Sequence, residues 1–213
     1  MELSPLRIKT LERLSDDYAL YTWPCSPILG YYIYNQRHKI INKNILELGS
    51  GTAIPGLIAA KCGGSVTLSD REDNPRLLDY LRETCELNGL REIKIMGLTW
   101  GLISPDLINL SKCDYVLASD CFYDSKDFED VMATVDYVLE KRSGCVFWTT
   151  YQERSSNRTL FPLLERWGLQ CKVIPIEEDW SYGIEIVGPA PDYLDIETTV
   201  TKHSIRLLEI TKQ

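Results

Sequence analysis

Five short stretches of the chain carry residue types that can do chemistry. Glu47-Leu48-Gly49-Ser50-Gly51-Thr52 sets two glycines behind an acid. Glycines let backbone approach a ligand closely and adopt turn angles closed to other residues. The dinucleotide fingerprint asks for G-x-G-x-x-G, but here the third glycine, Gly56, is displaced by two positions. Glu47 would also repel a pyrophosphate, so a ligand with a cationic portion fits better. Asp70 stands 21 residues beyond Gly49, placed either to accept hydrogen bonds from ribose hydroxyls or to cap the helix that follows. Thr99-Trp100-Gly101 offers an indole that stacks on an adenine or simply fills core. Asp120-Cys121-Phe122-Tyr123 pairs a carboxylate with a phenol, unless Asp114 and Asp120 only solvate strand ends. Upstream, Trp23-Pro24-Cys25-Ser26 opens a helix, with Pro27 suited to its first turn.

Gathering these stretches takes a particular scaffold. Short apolar runs at Ile45–Leu48, Val66–Ser69, Ile93–Met96, Tyr115–Ser119 and Cys145–Thr149 read as strands, with Leu169–Ile174 and Ser204–Ile210 completing seven. Helical spacing lies between them. Leu77, Leu78, Leu81 and Cys85 share a face, and Asn88–Gly89 stops that helix. Ser125 is placed as the cap of the next, whose apolar face is Phe128, Met132, Val135 and Leu139. Leu160–Trp167 is a further helix. Alternation of this kind predicts an α/β, Rossmann-like, doubly wound seven-strand sheet, mostly parallel, with its last strand antiparallel. Ligands of open α/β sheets sit beyond the carboxyl ends of the strands. Four of the five stretches follow predicted strands there.

The 213 residues suit one domain: an approach segment and helix over 1–43, then a core over 44–213 whose residues 175–200 read as a long loop. Lys and Arg number 23 against 31 Asp and Glu, a net charge of −8. Such acidity argues against gripping nucleic acid through phosphates. Seven acids and no base fall within 177–197 (Glu177, Glu178, Asp179, Glu185, Asp192, Asp195, Glu197), which points to a basic partner near the acceptor cleft. Seven scattered cysteines without a CxxC pair, and two isolated histidines, suit neither a zinc site nor a disulfide framework. Reduced thiols in cytoplasm or nucleus are expected. The charged start MELSPLRIKTLERL has no signal core, and the uncharged stretch Tyr18–Gln36 is too polar and proline-broken to span a bilayer.

Glu-x-Gly-x-Gly after strand one, an acid after strand two, Thr-Trp-Gly after strand three and Asp-x-x-Tyr after strand four resemble the class I methyltransferases. More closely, "TWPC", "GLTWG", "LASDCFYD", "DFEDVMAT" and "TTYQERS" are similar to blocks of methyltransferase-like family 16, over roughly residues 18–175. The resemblance implies S-adenosyl-L-methionine as cofactor, with contacts from Trp23, Glu47, Gly49, Ser50, Gly51, Asp70 (ribose), Trp100 (adenine side) and Ser119. It also implies that Asp120 and Tyr123 face the acceptor nitrogen. The implied acceptor is a basic protein, a histone or a chaperone-type client, methylated on arginine.

Methyl transfer from a sulfonium needs no metal, only alignment and a nitrogen lone pair. Neutralising a lysine at neutral pH costs about 4 kcal/mol and an arginine roughly 9. Desolvation beside Trp23, Phe122 and Tyr123 would help a lysine. An arginine is better served by carboxylates, of which Asp120 is one and Asp124 a candidate second. Residue chemistry alone leans toward lysine, and the resemblance toward arginine. Three rivals stand beside these: a nicotinamide dehydrogenase, disfavoured by Glu47 and the displaced glycine; a non-catalytic module that binds cofactor and docks a basic protein; and a small-metabolite methyltransferase. Oligomeric state stays open.

Overall fold

The computed structural model describes residues 5–12, 20–154, 159–188 and 204–212. Among the described residues nine strands and six α-helices run β1 (Leu6–Lys9), α1 (Cys25–Asn35), β2 (Asn44–Leu48), α2 (Ile54–Lys61), β3 (Ser65–Asp70), α3 (Pro75–Leu87), β4 (Lys94–Gly97), α4 (Pro105–Ile108), β5 (Tyr115–Ser119), α5 (Phe128–Glu140), β6 (Val146–Gln152), α6 (Phe161–Arg166), β7 (Leu169–Ile174), β8 (Ile184–Val187) and β9 (Ile205–Lys212). The seven expected strands form one sheet, ordered β4-β3-β2-β5-β6-β9-β7. β9 lies antiparallel between β6 and β7, and every other pairing within this sheet is parallel.

Burial on both faces explains why the central strands are short and apolar. Side chains alternate across a strand. Leu46 and Leu48 of β2 therefore join Val116, Ala118 and Phe147 beneath Val131, Met132 and Val135 of α5. Ile45 points the other way, with Leu68, Leu117 and Trp148, against α1, α2 and α3. Glu47 shares that second face by parity.

Three features depart from expectation. Segment 175–200 is not loop throughout: a 3-10 turn covers Glu178–Ser181, and β8 pairs parallel with β1 in a second, two-stranded sheet. Four-residue strands whose partners lie some 180 positions away leave no local periodicity to read. Ser125 is not the cap of α5; that position falls to Asp127, without a side-chain hydrogen bond, while Glu129 and Asp130 occupy the first turn. The third is α4, a single turn whose Ser104 side chain accepts from the Leu107 amide.

Of the seven acids in 177–197, Asp192, Asp195 and Glu197 lie outside the described residues. Glu185 is paired with Arg7 across β1 and β8 at 2.8 Å. The turn at 178–181 packs on the C-terminal half of α1, where Trp180 meets the Tyr32 ring and its carbonyl accepts from Asn35. The N-terminus of α1 borders the cavity described next. Glu177 and Asp179 thus sit by the far end of this helix, and neither they nor Glu185 line the cavity.

Candidate active site

Beyond the carboxyl ends of β2, β3 and β5 lies a cavity of about 490 Å³, within the ~300–1,000 Å³ usual for small-molecule sites. Its floor is the turn from β2 into α2. Gly49 (φ +55°), Gly51 (φ +50°) and Ala53 (φ +58°) all take left-handed backbone. At Gly49 a side chain is excluded twice, since a Cβ would also lie 2.8 Å from Cys121 Sγ and 3.1 Å from the Trp100 ring.

Ala53 caps α2 and has no side chain able to accept from the helix's first amides. Glu47 supplies that acceptor from the strand below: its Oε2 takes the Gly56 N–H at 3.2 Å. Gly56 is needed for the approach, because a Cβ there would fall 2.4 Å from the same oxygen. Glu47 is fully buried and does not line the cavity. Burial pushes its carboxyl up to about 8, against the Gly56 amide and Ser50 hydroxyl, which lower it. Glu47, expected among the cofactor contacts, thus stands behind the cavity lining. It holds up the loop that faces the ligand.

Asp70 ends β3 and does line the cavity. Its Oδ2 accepts the Gly51 N–H at 2.9 Å and its Oδ1 the Arg71 N–H at 2.8 Å. The helix-cap alternative falls away, because the Asn74 side chain caps α3 instead. The glycine loop is further stapled to β3: the Ser50 N–H donates to the Ser69 carbonyl at 3.0 Å, and the Ser69 hydroxyl donates to the Glu47 carbonyl at 2.6 Å. Trp100 leans over Gly49 from the loop after β4. Gly101 lets that loop sit against α5, its N–H donating to Thr134 Oγ1 at 2.9 Å.

The segment before α1 forms another wall. Trp23 and Tyr21 meet edge-to-face at 5.0 Å, and both line the cavity. Thr22 Oγ1 lies 3.4 Å from Thr52 Oγ1, tying this segment to the glycine loop. Ser26 Oγ is buried in the same wall with no hydrogen-bond partner among the described residues.

Ser119 and Asp120 close the opposite end, with Tyr123 at the rim, 51% exposed. Asp120 is a non-glycine residue at φ +57°, a conformation that costs energy and is kept where surroundings over-determine it. Its N–H donates to the Thr150 carbonyl at 2.8 Å. Its carboxylate receives both terminal nitrogens of Arg154, at 3.0 and 2.7 Å. Two expected helpers are absent from this end. Phe122 is buried, packed edge-to-face on Phe128 at 5.5 Å. Asp124 lies outside the cavity, paired with Lys126 at 3.1 Å. Burial, with nearby carboxylates, pushes the Cys25 and Cys121 thiols well up, so neither supplies a thiolate nucleophile.

Gathered in one cavity are therefore Trp23, Gly49, Ser50, Gly51, Asp70, Trp100, Ser119, Asp120 and Tyr123; of the expected residues Glu47, Phe122 and Asp124 do not line it. Tyr21, Thr52, Arg71 and Arg154 line it unforeseen. Arg154 carried a signal, since it follows the fifth predicted strand as Asp120 follows the fourth.

A strand-end glycine loop, an acid on the next strand and indoles above them define a class I methyltransferase with S-adenosylmethionine as cofactor. The fit shows in the wall itself: among the described residues nothing pairs with the buried Ser26 hydroxyl, and the Asp70 carboxylate lines the same space. A family model described as lysine methyltransferase matches residues 2–167, and the chain belongs to that family, methyltransferase-like family 16. Histone-arginine methyltransferase METTL23 of Xenopus laevis is 41% identical over 81% of this chain and 74% of its own. The Homo sapiens protein of that name is 42% identical over 74% and 83%. Protein N-lysine methyltransferase METTL21A of Xenopus tropicalis is 27% identical over 59% and 57%. Among solved structures, a ribosomal protein L11 methylase from Lactobacillus delbrueckii subsp. bulgaricus shares the fold at TM-score 0.61 and 14% identity, over 91% of this chain and 81% of that one.

Proposed function

We propose that this chain methylates a side-chain nitrogen of a basic protein, and that the acceptor is an arginine, as on a histone. One observation carries the choice of arginine: the buried Asp120 carboxylate at the acceptor end already binds a guanidinium through two parallel hydrogen bonds. That fork-to-fork geometry is specific to arginine, whereas an ammonium acts as a point charge. The identity to relatives named for histone-arginine methylation supports the same reading. A lysine acceptor is supported by the family description and by the lysine-directed relative. Cytoplasm and nucleus are the proposed setting, in keeping with seven free thiols.

S-adenosylmethionine supplies a methyl group on a positively charged sulfur. The chain's tasks follow from its own residues. The Gly49–Gly51 backbone and Asp70 hold the ligand at the β2 and β3 ends, while Tyr21, Trp23 and Trp100 keep water from the space between them. Asp120 would orient the acceptor nitrogen toward the bound cofactor, the alignment that in-line displacement requires. With the methyl group supplied by the cofactor, whose sulfur keeps the electron pair, the chain's part would be to align the acceptor nitrogen and let its proton pass to solvent or to the Asp120 carboxylate. A carboxylate beside the guanidinium favours its charged form, as Asp120 does for Arg154, so it does not lower the roughly 9 kcal/mol needed to free a lone pair; its part is to orient the nitrogen and to receive the proton it sheds. Core histones incubated with labelled cofactor, hydrolysed and analysed by mass spectrometry, should yield methylarginine. Methyllysine alone would replace the arginine reading, and no labelled histone would remove the histone.

A further inference from the structure

Asp120 is closed in this structure. A carboxylate offers about four hydrogen-bond positions. Two are taken by Arg154 and a third by the Gln152 N–H at 3.4 Å, with the buried Cys25 thiol beside the same carboxylate. An incoming guanidinium needs two positions and finds at most one vacant, so a donor must leave. The Gln152 amide is fixed at the end of β6 and Cys25 in the first turn of α1. Asp120 itself is pinned through its backbone N–H and is 6% exposed at the side chain, against 32% for Arg154. Only Arg154, two residues past the end of β6, can leave without dismantling an element. Its neighbour Glu153 gives it no second site, being paired with Arg206 at 3.0 Å.

We propose that Arg154 is a built-in stand-in for the acceptor: its guanidinium occupies Asp120 until an acceptor guanidinium displaces it, and the exchange selects guanidinium over ammonium. The proposal rests on Asp120 being the acceptor-binding carboxylate. Trading one guanidinium for another conserves the charge and both hydrogen bonds. Trading it for an ammonium leaves part of a buried carboxylate unpaired, which is unfavourable. Selectivity then comes as much from the competitor that must be displaced as from the site it covers.

The test compares wild type with Arg154→Ala, using methylguanidinium and methylammonium chloride as probes at low millimolar concentration. Methylguanidinium should bind Arg154→Ala at least several-fold more tightly than wild type by calorimetry and raise its unfolding temperature, with methylammonium doing so more weakly. The KM for an arginine peptide should fall several-fold, and the ratio of lysine-peptide to arginine-peptide turnover should rise. A KM that rises while methylguanidinium binding stays at wild-type strength would make Arg154 a fixed support of Asp120 and overturn the proposal. If Arg154→Ala does not fold, Arg154→Gln, which keeps one hydrogen bond without the charge, is read by the same criteria. Rescue by methylguanidinium in a protein that methylates only lysine would keep the stand-in and discard the arginine acceptor. Equal rescue by both probes would discard the guanidinium selectivity.

Discussion

The two ends of the cavity are built on different principles. At the β2–β3 end almost every polar group is satisfied by backbone: Asp70 accepts two amides, Ser50 and Ser69 staple loop to strand, and Glu47 props α2 from beneath. Such a site is formed before its ligand arrives, so little ordering has to be done on binding. At the β5–β6 end one carboxylate faces one exchangeable guanidinium, and the phenol beside it is half exposed. A cofactor used by every turnover suits the first kind of site. An acceptor that must enter and leave as part of a larger protein suits the second.

Asp120→Ala separates the ends most sharply. Misplacing an acceptor by 1 Å can cost about a hundredfold, so transfer should fall by at least that much while cofactor affinity by calorimetry stays within about twofold of wild type. Full transfer activity in Asp120→Ala would show that this carboxylate does not orient the acceptor.

Glu47→Gln probes the other end through pH. The folded carboxyl titrates near 8, above its ordinary 4.5, with burial as the main cause. A raised folded value means that its contribution to stability is complete below about 4.5 and is lost progressively as pH rises toward 8. Since one pKa unit corresponds to about 1.4 kcal/mol, the loss is on the order of a few kcal/mol. Glutamine keeps a carbonyl for the Gly56 amide and cannot ionise. Denaturant unfolding of Glu47→Gln should therefore lose much of the decline seen in wild type between pH 5 and 8. Identical pH profiles would show that Glu47 does not carry that dependence.

Legibility followed the same divide. Strand ends, glycine spacing and Asp70 could be read locally, because the turn after each strand is encoded by the residues in it. The buried position of Glu47 could not be read, because its distance from Gly49 says nothing about which sheet face it occupies. That depended on β2 running as strand through Leu48, with Ile45 on the α2 side. Arg154 went unassigned because its meaning lies in a partner 34 positions away. Phe122 was placed with Tyr123 on composition, although only three-dimensional packing could turn one ring to the core and the other to the rim.

Asp70→Ala is the next test in size. The carboxylate both fixes the Gly51 amide and lines the cavity, and hydrogen bonds to a charged group are worth about 1.5–3 kcal/mol. Cofactor affinity should weaken by roughly tenfold or more, while lysine-to-arginine acceptor preference stays as in wild type. Unchanged affinity by calorimetry would mean that the loop holds its shape without this anchor and that ribose is bound elsewhere.

The smallest effect is expected from the acidic segment. Glu177 and Asp179 lie beside the turn that packs on the C-terminal half of α1, and the cavity borders the other end. Eleven helical residues span about 16 Å, roughly twice the ~8 Å Debye length at physiological salt. Charges at that remove act weakly on a single acceptor nitrogen, although they can still meet a second patch on an extended basic protein. Glu177→Gln with Asp179→Asn should therefore leave the KM of a short acceptor peptide within about twofold of wild type at 0.15 M salt. With intact histone, the association rate should fall modestly and its salt dependence should flatten. A short peptide that lost affinity as strongly as the intact protein would bring these acids to the acceptor cleft after all, and undo the distance on which the expectation rests.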